Sequence, residues 1–211
     1  MRWSRSGVAG VAVAASLGAA ALAPAHDVAD SGAPPGSGDP LPAGNVARVA
    51  PSWLVSEADY DHWFRAAAAQ AGGTPKEGTK AYTKLRKQTM RFLISAAWLQ
   101  LEAPEHGVEV TKSQITKELK RQKRRAFDSE AEYQAFLKRT KRTEKNLRLQ
   151  IKLTLLTRGV QKHAVAGAKT SAERKAALKR FVDAFQRKWL ARTACATGYK
   201  TSQCSTEVRA G

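Results

Sequence analysis

An acidic cluster beside one of four histidines is the part of this sequence best suited by composition to chemistry. Asp59, Asp61 and His62 could together serve general acid–base catalysis. They are adjacent or nearly adjacent on a predicted helix, so their side chains point in different directions. Capping of a helix that begins near Ser56 is sufficient to explain the acidic residues. We therefore predict no catalytic residues at this position.

No other segment carries a recognisable catalytic or ligand-binding motif. The sequence has no nucleophile-elbow pattern, no glycine-rich phosphate loop, and neither H-E-x-x-H nor C-x-x-C. The histidines fall on separate predicted elements, at His26, His62, His106 and His163. We expect a protein that is not an enzyme, with no cofactor and no metal site.

Residues 1–25 have the composition of a secretory signal peptide. Arg2 and Arg5 precede an uncharged run rich in alanine and glycine, and Ala23-Pro24-Ala25 supplies the small residues of a cleavage site. An uncleaved anchor and an apolar core helix are the alternatives. No other segment is long and apolar enough to span a bilayer. The sequence therefore predicts an exported protein, either secreted or associated with the cell surface.

The two cysteines, Cys195 and Cys204, lie close together in the segment CATGYKTSQC. Outside the cytoplasm such a pair normally forms a disulfide. A zinc site would need a second Cys or His pair nearby, and none is present. We predict a disulfide between them.

The chain is strongly basic, with a net charge of +18, and the charge is concentrated in one region. The segment from Lys112 to Lys152 contains fourteen basic and five acidic residues. A solvated helix face is one interpretation. The other is a basic rim that attracts acidic polypeptides, anionic membrane lipid or wall polymers. Export and the absence of interleaved aromatic residues argue against specific nucleic-acid binding. The predicted basic rim consists of Lys120, Arg121, Lys123, Arg124, Arg125, Lys138 and Arg139.

The elements that would position these residues are mainly helices. Hydrophobic periodicity predicts six helices and at most a very short strand at Val46–Val49, which is an all-α fold. Polar capping residues mark five of the helix starts, with capping boxes at two of them. These caps are Ser56, Thr111, Ser129, Thr143 and Thr170.

Composition divides the chain into five segments. Residues 1–25 form the signal peptide, and residues 26–45, rich in proline and glycine, form a flexible extended tether. A helical domain is expected over residues 46–165, followed by a C-terminal helix and disulfide loop over 166–204 and a tail over 205–211.

Aromatic and leucine side chains on the predicted helices are core residues by default. Long amphipathic helices can also leave an apolar groove that binds unfolded segments. The candidate lining of such a groove is Trp63, Phe64, Phe92, Trp98, Leu149 and Leu153.

Several ordered fragments resemble a known family. They are the segments Ala103–Ile115, Phe127–Leu137 and the Thr-Glu-x-x-Leu motif at Thr143–Leu147. Their order and spacing are similar to the N-terminal chaperone domain of the SurA and PrsA-type extracytoplasmic foldases, in the version found in actinobacteria. The resemblance covers about residues 46–165, and the Trp-containing segment before the cysteines is similar to the end of the same family.

Two features depart from the family pattern. Family members usually carry a parvulin prolyl isomerase domain of about ninety residues, and only ten residues separate Val160 from Ser171 here. The turn before Glu144 also lacks its usual glycine. The resemblance therefore implies the chaperone part alone, without an isomerase site.

The combined expectation is an exported, ATP-independent chaperone of the holdase type. It would bind unfolded or nascent exported proteins through an apolar groove with a basic rim. The alternatives are a non-catalytic scaffolding module at the cell surface, a polyanion-binding module and a degenerate prolyl isomerase.

Overall fold

Six helices and four short strands form the part of the chain that the computed structural model describes, residues 39–50 and 52–209. The predicted signal peptide and the tether as far as residue 38 lie outside the described residues. The prediction of a mostly helical fold with six helices is confirmed. The elements are β1 (Asn45–Val49), β2 (Trp53–Ser56), α1 (Glu57–Gln70), α2 (Lys80–Glu105), α3 (Lys112–Ala126), α4 (Glu130–Arg139), α5 (Glu144–Ala164), α6 (Ser171–Leu190), β3 (Thr193–Ala196) and β4 (Thr206–Val208).

Each of the five predicted caps begins a helix. The side chain of Thr111 accepts from the backbone N–H of Gln114, whose own side chain accepts from the backbone of Thr111. Thr170 and Glu173 form the same reciprocal pair. A cap of this kind contributes about 1 kcal/mol to helix stability, because it satisfies backbone donors that have no partner inside the helix.

The turn between α4 and α5 has a lysine where glycine is usual. Lys141 adopts a left-handed backbone with φ of +52°. Its neighbour Arg142 donates its backbone N–H to Leu137 O at 3.0 Å, and Lys141 donates to Lys138 O. This hydrogen-bond pattern is a Schellman motif, which satisfies the last carbonyls of α4. A non-glycine residue therefore performs the chain reversal that the sequence left undefined.

The sheet is larger than the single very short strand that the sequence predicts. The strand order is β2-β1-β3-β4, with β1 antiparallel to both of its neighbours and β3 parallel to β4. The expected strand at Val46–Val49 is therefore the inner strand β1. Segments from both ends of the described chain meet here, because β1 pairs with β3 and the N–H of Leu41 donates to Arg209 O at 3.1 Å.

The last residues of the predicted tether and the first residues of the predicted tail belong to this folded unit. Leu41 is only 1% exposed and packs with Ala194, Ala196 and Val208 on the sheet. The expectation of an unpacked tether is therefore wrong for its last residues, since a leucine among prolines still buries apolar surface when a sheet is available. The predicted tail likewise contains strand β4.

Helix α2 lies at the centre of the main core, as its nearly continuous apolar segment predicts. It contacts α1, α5 and the sheet. The core cluster combines residues of α1, α2, α6, β1, β2, β3 and the disulfide loop. Its buried members are Val46, Ala47, Val49, Val55, Tyr60, Trp63, Met90, Leu93, Ile94, Ala97, Trp98, Trp189, Cys195 and Cys204.

A buried carboxylate attaches the end of α6 to α2. The side chain of Glu102 is 6% exposed and accepts from Lys188 Nζ at 2.7 Å. It also accepts from the indole Nε1 of Trp189 at 2.7 Å and from His106 Nε2 at 2.8 Å. Lys188 pairs in addition with Glu105. The charge of Glu102 is therefore neutralised and hydrogen-bonded, as burial of a carboxylate requires.

Helix α5 passes very close to the segment that follows α2. A Cβ added to Gly159 would overlap with Cγ1 of Val108, a branched side chain with little freedom to move. The glycine at this position is therefore required by the approach of the two segments, although glycine lowers intrinsic helix stability.

Replacement of Gly159 by alanine is expected to destabilise the protein by about 1–2 kcal/mol, because overpacking outweighs the better helix propensity of alanine. Urea unfolding measures the change. The matched control repeats Gly159→Ala in a Val108→Ala background, where the overlapping methyl groups are gone. In that background Gly159→Ala should cost less stability than it does in the wild type. A Gly159→Ala protein more stable than the wild type would contradict this packing.

Candidate functional site

Two of the six predicted groove residues are core residues. Trp63 is 8% exposed and Trp98 is 3% exposed. The indole Nε1 of Trp98 donates to Thr193 Oγ1 at 2.8 Å, so its polar atom is satisfied inside the protein. The ring of Trp63 packs against Phe92 with centroids 4.6 Å apart. These two tryptophans are therefore part of the core and offer little surface to a ligand.

The other four predicted groove residues keep some solvent-accessible surface. Phe64, Phe92 and Leu149 are half-buried and pack against the same core cluster as the two tryptophans. Leu153 is also half-buried and lies one turn beyond Leu149 on the same side of α5. The structure therefore leaves half-buried apolar side chains on α1, α2 and α5, and three of the four pack against the main core.

Helix α6 extends this apolar region. Phe185 is half-buried and packs against the main core, with its ring centroid 5.9 Å from that of Trp98. Phe181 lies one turn earlier and its ring stacks on Phe185 at 6.2 Å. We use the name apolar margin for the half-buried residues at the edge of the core, Phe64, Phe92, Leu149, Leu153 and Phe185.

The predicted basic rim lies on α3 and α4. Two of its members are engaged within the protein. Arg121 donates to Glu118 through Nε at 2.7 Å, and Lys123 Nζ lies 2.7 Å from Glu130 and 3.9 Å from the ring centroid of Tyr133. The remaining five are exposed and form no ion pair with another described residue: Lys120, Arg124, Arg125, Lys138 and Arg139.

The Glu118 carboxylate on α3 has a lowered pKa. The pKa of Glu118 is lowered to about 2, chiefly by the hydrogen bond from Arg121 and, to a smaller extent, by the Gln122 hydrogen bond and the charges of Arg121 and Arg158, against the opposing effect of burial. A carboxyl group in this environment stays ionised in all but strongly acidic solution. The low pKa of Glu118 is therefore mainly a local effect of Arg121 on the same helix.

Two members of the cluster Asp59, Asp61 and His62 have hydrogen-bond partners in the structure. Ser56 Oγ accepts from the backbone N–H of Asp59 and donates to its carboxylate at 2.8 Å, so the two residues cap α1. His62 Nε2 lies 2.9 Å from Asn146 Oδ1 on α5. Within residues 39–50 and 52–209, no group of three or more His, Cys, Asp or Glu side chains could hold a metal ion.

The described helices include none with the length and apolar content needed to cross a membrane.

The predicted disulfide is present. Cys195 of β3 is joined to Cys204, with 2.06 Å between the two Sγ atoms. Both cysteines are buried in the main core. The loop that they close carries Gly198, Tyr199 and Lys200 towards α2.

A small pocket lies where α1, α2 and the disulfide loop meet, and the sequence did not indicate it. Its lining comes from residues 60–90 and from residues 198–200, which are more than a hundred positions apart and carry no common motif, so only the tertiary structure brings them together. We call it the Arg86 pocket. It is lined by Tyr60, Thr83, Arg86, Lys87, Met90, Gly198, Tyr199 and Lys200.

Comparison with known proteins places the chain in a family. Residues 27–161 match the family model described as SurA-like N-terminal domain. Neither the curated proteins nor the solved structures include a match to this chain. The match covers more than half of the sequence and includes helices α1 to α4 and nearly all of α5. The chain therefore belongs to the SurA-like N-terminal domain family.

Proposed function

We propose that this protein is an exported, ATP-independent chaperone that binds unfolded or partly folded polypeptides without catalysing a reaction. Membership of a family with a chaperone-like role supports the proposal. The observation that carries it is the apolar margin, which leaves aromatic and leucine side chains of four helices partly open to solvent in a protein whose helices α3 and α4 carry exposed cations.

The ligand that fits such a surface is an unfolded segment with apolar side chains and acidic neighbours. Apolar side chains of the segment would cover Phe92, Leu149 and Leu153, because removal of apolar area from water stabilises the contact. The five exposed cations of α3 and α4 would attract the acidic residues and raise the rate of encounter. Both interactions are weak and non-directional, which permits release when the ligand folds.

The combined replacement Leu149→Ser and Leu153→Ser tests the apolar contribution. Two shortened, polar side chains should raise about tenfold the concentration that half-suppresses aggregation of an acidic reporter diluted from guanidinium chloride. Light scattering measures the aggregation. The matched control is Leu54→Ser with Leu190→Ser, since these leucines are 42% and 36% exposed and lie outside the apolar margin. Circular dichroism checks that both variants remain helical.

Equal suppression by the two double variants would contradict the proposed binding surface. A wild-type protein that suppresses no aggregation and binds no unfolded peptide would remove the chaperone proposal as a whole.

A polyanion-binding role is the second candidate, because five rim cations have no ion-pair partner among the described residues. It predicts binding to anionic vesicles or wall polymer that weakens steeply with salt and is insensitive to the leucine replacements. Loss of binding in Arg124→Gln with Arg125→Gln, combined with unchanged suppression of aggregation, would favour this role.

A further inference from the structure

The Arg86 pocket has the size and the polar groups of a small-ligand site. It has a volume of about 70 Å³, which is room for several water molecules or for a small oxyanion. None of the predicted groove residues lines it, so it is separate from the apolar margin. Its floor is apolar, since Met90 is 1% exposed and Tyr60 is 4% exposed.

Arg86 is held firmly in the pocket without a carboxylate partner. Its Nε donates to Tyr60 Oη at 3.2 Å, and Nη2 donates to Gly198 O at 3.1 Å. The guanidinium also lies 5.2 Å from the ring centroid of Tyr199 and 5.9 Å from that of Tyr82. Among the described residues, no acceptor takes its remaining N–H groups. The side chain is therefore positioned for a ligand, and its charge is not neutralised by an acidic residue.

The hydroxyl group of Tyr60 supplies a second donor. It accepts from Arg86, and its own hydrogen has no acceptor among the described residues. Burial raises the pKa of Tyr60, although the Arg86 hydrogen bond and charge oppose this, so the hydroxyl stays protonated near neutral pH. A guanidinium and a phenol at one position are suited to hydrogen-bond an anionic oxygen.

The charges around the opening are mainly positive. Lys87 and Lys200 line the pocket together with Arg86. The carboxylate of Glu207 lies 3.7 Å from Lys200 Nζ and accepts from the backbone N–H of Gly198 at 3.4 Å. Glu57 accepts from Tyr199 Oη at 3.2 Å. Two of the three cations lining the pocket therefore have no carboxylate within ion-pair distance among the described residues.

We propose that the Arg86 pocket binds a carboxylate group, with the guanidinium of Arg86 and the hydroxyl of Tyr60 as the principal donors. A planar carboxylate matches the planar fork of a guanidinium better than a tetrahedral anion does. Met90 and the ring of Tyr199 provide apolar surface for whatever carries the carboxylate. The group could be a free small carboxylate or the carboxyl terminus of a peptide.

The disulfide is part of this site. Gly198, Tyr199 and Lys200 all lie between Cys195 and Cys204, so the loop that completes the pocket is closed by the Sγ–Sγ bond. Opening of that bond releases the carbonyl of Gly198 from its fixed position beside Arg86. Reduction should therefore weaken binding in the pocket.

An NMR titration of the full-length protein tests the proposal. The probes are sodium acetate, a Gly-Gly-Leu peptide with a free carboxylate, the same peptide as its carboxamide, and inorganic phosphate, all at constant ionic strength. Saturable shifts of the Arg86 Nε–H and Gly198 signals with the carboxylate probes are expected. Stronger binding of the free peptide than of acetate assigns the site to peptide termini, and equal binding assigns it to small carboxylates.

Variants locate the binding. Arg86→Gln should weaken carboxylate binding at least about tenfold, because it removes the charged donor. The matched control is Arg91→Gln, an exposed arginine on the same helix, which should bind as the wild type does. Lys200→Gln is a second variant, for the case that Arg86→Gln does not fold. It alters an exposed side chain at the pocket and should lower the affinity for the carboxylate probes about twofold.

Three results would overturn the proposal. The first is that no probe gives saturable shifts of the Arg86 and Gly198 signals. The second is that the peptide acid and its carboxamide bind equally while acetate causes no shift. The third is that phosphate alone binds. None of them bears on suppression of aggregation, so failure of this site is distinguishable from failure of the proposed chaperone function.

Discussion

Glu102→Ala is expected to lower the free energy of unfolding by about 3 kcal/mol. The replacement leaves the buried indole N–H of Trp189 without its acceptor and removes the less exposed of the two carboxylates that pair with Lys188, at a position where the carboxylate was 6% exposed. Loss of the acceptor costs more than the hydrogen bond itself contributes, because the indole N–H and part of the lysine charge remain desolvated. Urea unfolding followed by circular dichroism measures the change.

The pH dependence of this effect follows from the pKa of Glu102. Burial alone raises that pKa, but the hydrogen bonds from Lys188, His106 and Trp189 outweigh burial and hold it below its ordinary value of 4.5. A carboxyl whose pKa is lower in the folded state adds stability above the unfolded pKa, and this stability is lost as pH falls through the folded pKa. The difference between wild type and variant should therefore be largest near neutral pH and should shrink below about pH 4.5.

The control for Glu102 is its neighbour Glu105. Its side chain is 48% exposed and pairs with the same lysine, so Glu105→Ala should cost well under about 1 kcal/mol. Equal effects of the two replacements, or a Glu102 effect that does not change with pH, would contradict the role of the buried carboxylate in attaching α6 to α2.

Removal of the disulfide should have an effect of similar size. The combined replacement Cys195→Ser and Cys204→Ser is expected to lower the free energy of unfolding by about 3 kcal/mol, because the open loop gains conformational freedom in the unfolded chain. For a chain of this length, the melting temperature should fall by roughly 10 °C. Differential scanning calorimetry measures both quantities.

The reduced wild-type protein is the internal control for the disulfide. It should unfold at nearly the same temperature as the double serine variant, and the oxidised variant should not respond to reductant. The buried position of Cys195 in β3, at 0% exposed, makes the polar serine slightly more destabilising than reduction. A double variant as stable as the oxidised wild type would show that the loop is held by its other contacts.

Local signals made the helices predictable. The caps at Thr111 and Thr170 act within one helical turn, and both were recognisable as capping boxes from residues three positions apart. Thr143 was predicted as a cap alone, and its partner in the structure is Asn146. The apolar segment of α2 is long enough to identify the central helix without knowledge of its partners. The disulfide also followed from a short spacing, since both cysteines lie in one loop.

Distant contacts made the sheet and the Arg86 pocket unpredictable. Strands β3 and β4 contain four and three residues, too few for an alternating pattern, and they are strands because β1 pairs beside them. The partners of Arg86 are 26 and 112 positions away, in Tyr60 and Gly198. The sequence also could not predict which aromatic residues are fully buried. Trp98 and Phe92 lie in the same apolar segment of α2, and only their packing makes Trp98 a core residue while Phe92 stays half-buried.

The central position of β1 sets the order in which a nascent chain can complete this fold. When residues 45–56 emerge during synthesis, β1 can pair only with β2, and its other edge stays unpaired. That edge stays open until residue 196 has emerged, so closure of the sheet is a late event with a long loop to close. During this interval the free edge of β1 could pair with a strand from another chain. A product truncated before β3 would keep that edge open permanently and should therefore self-associate.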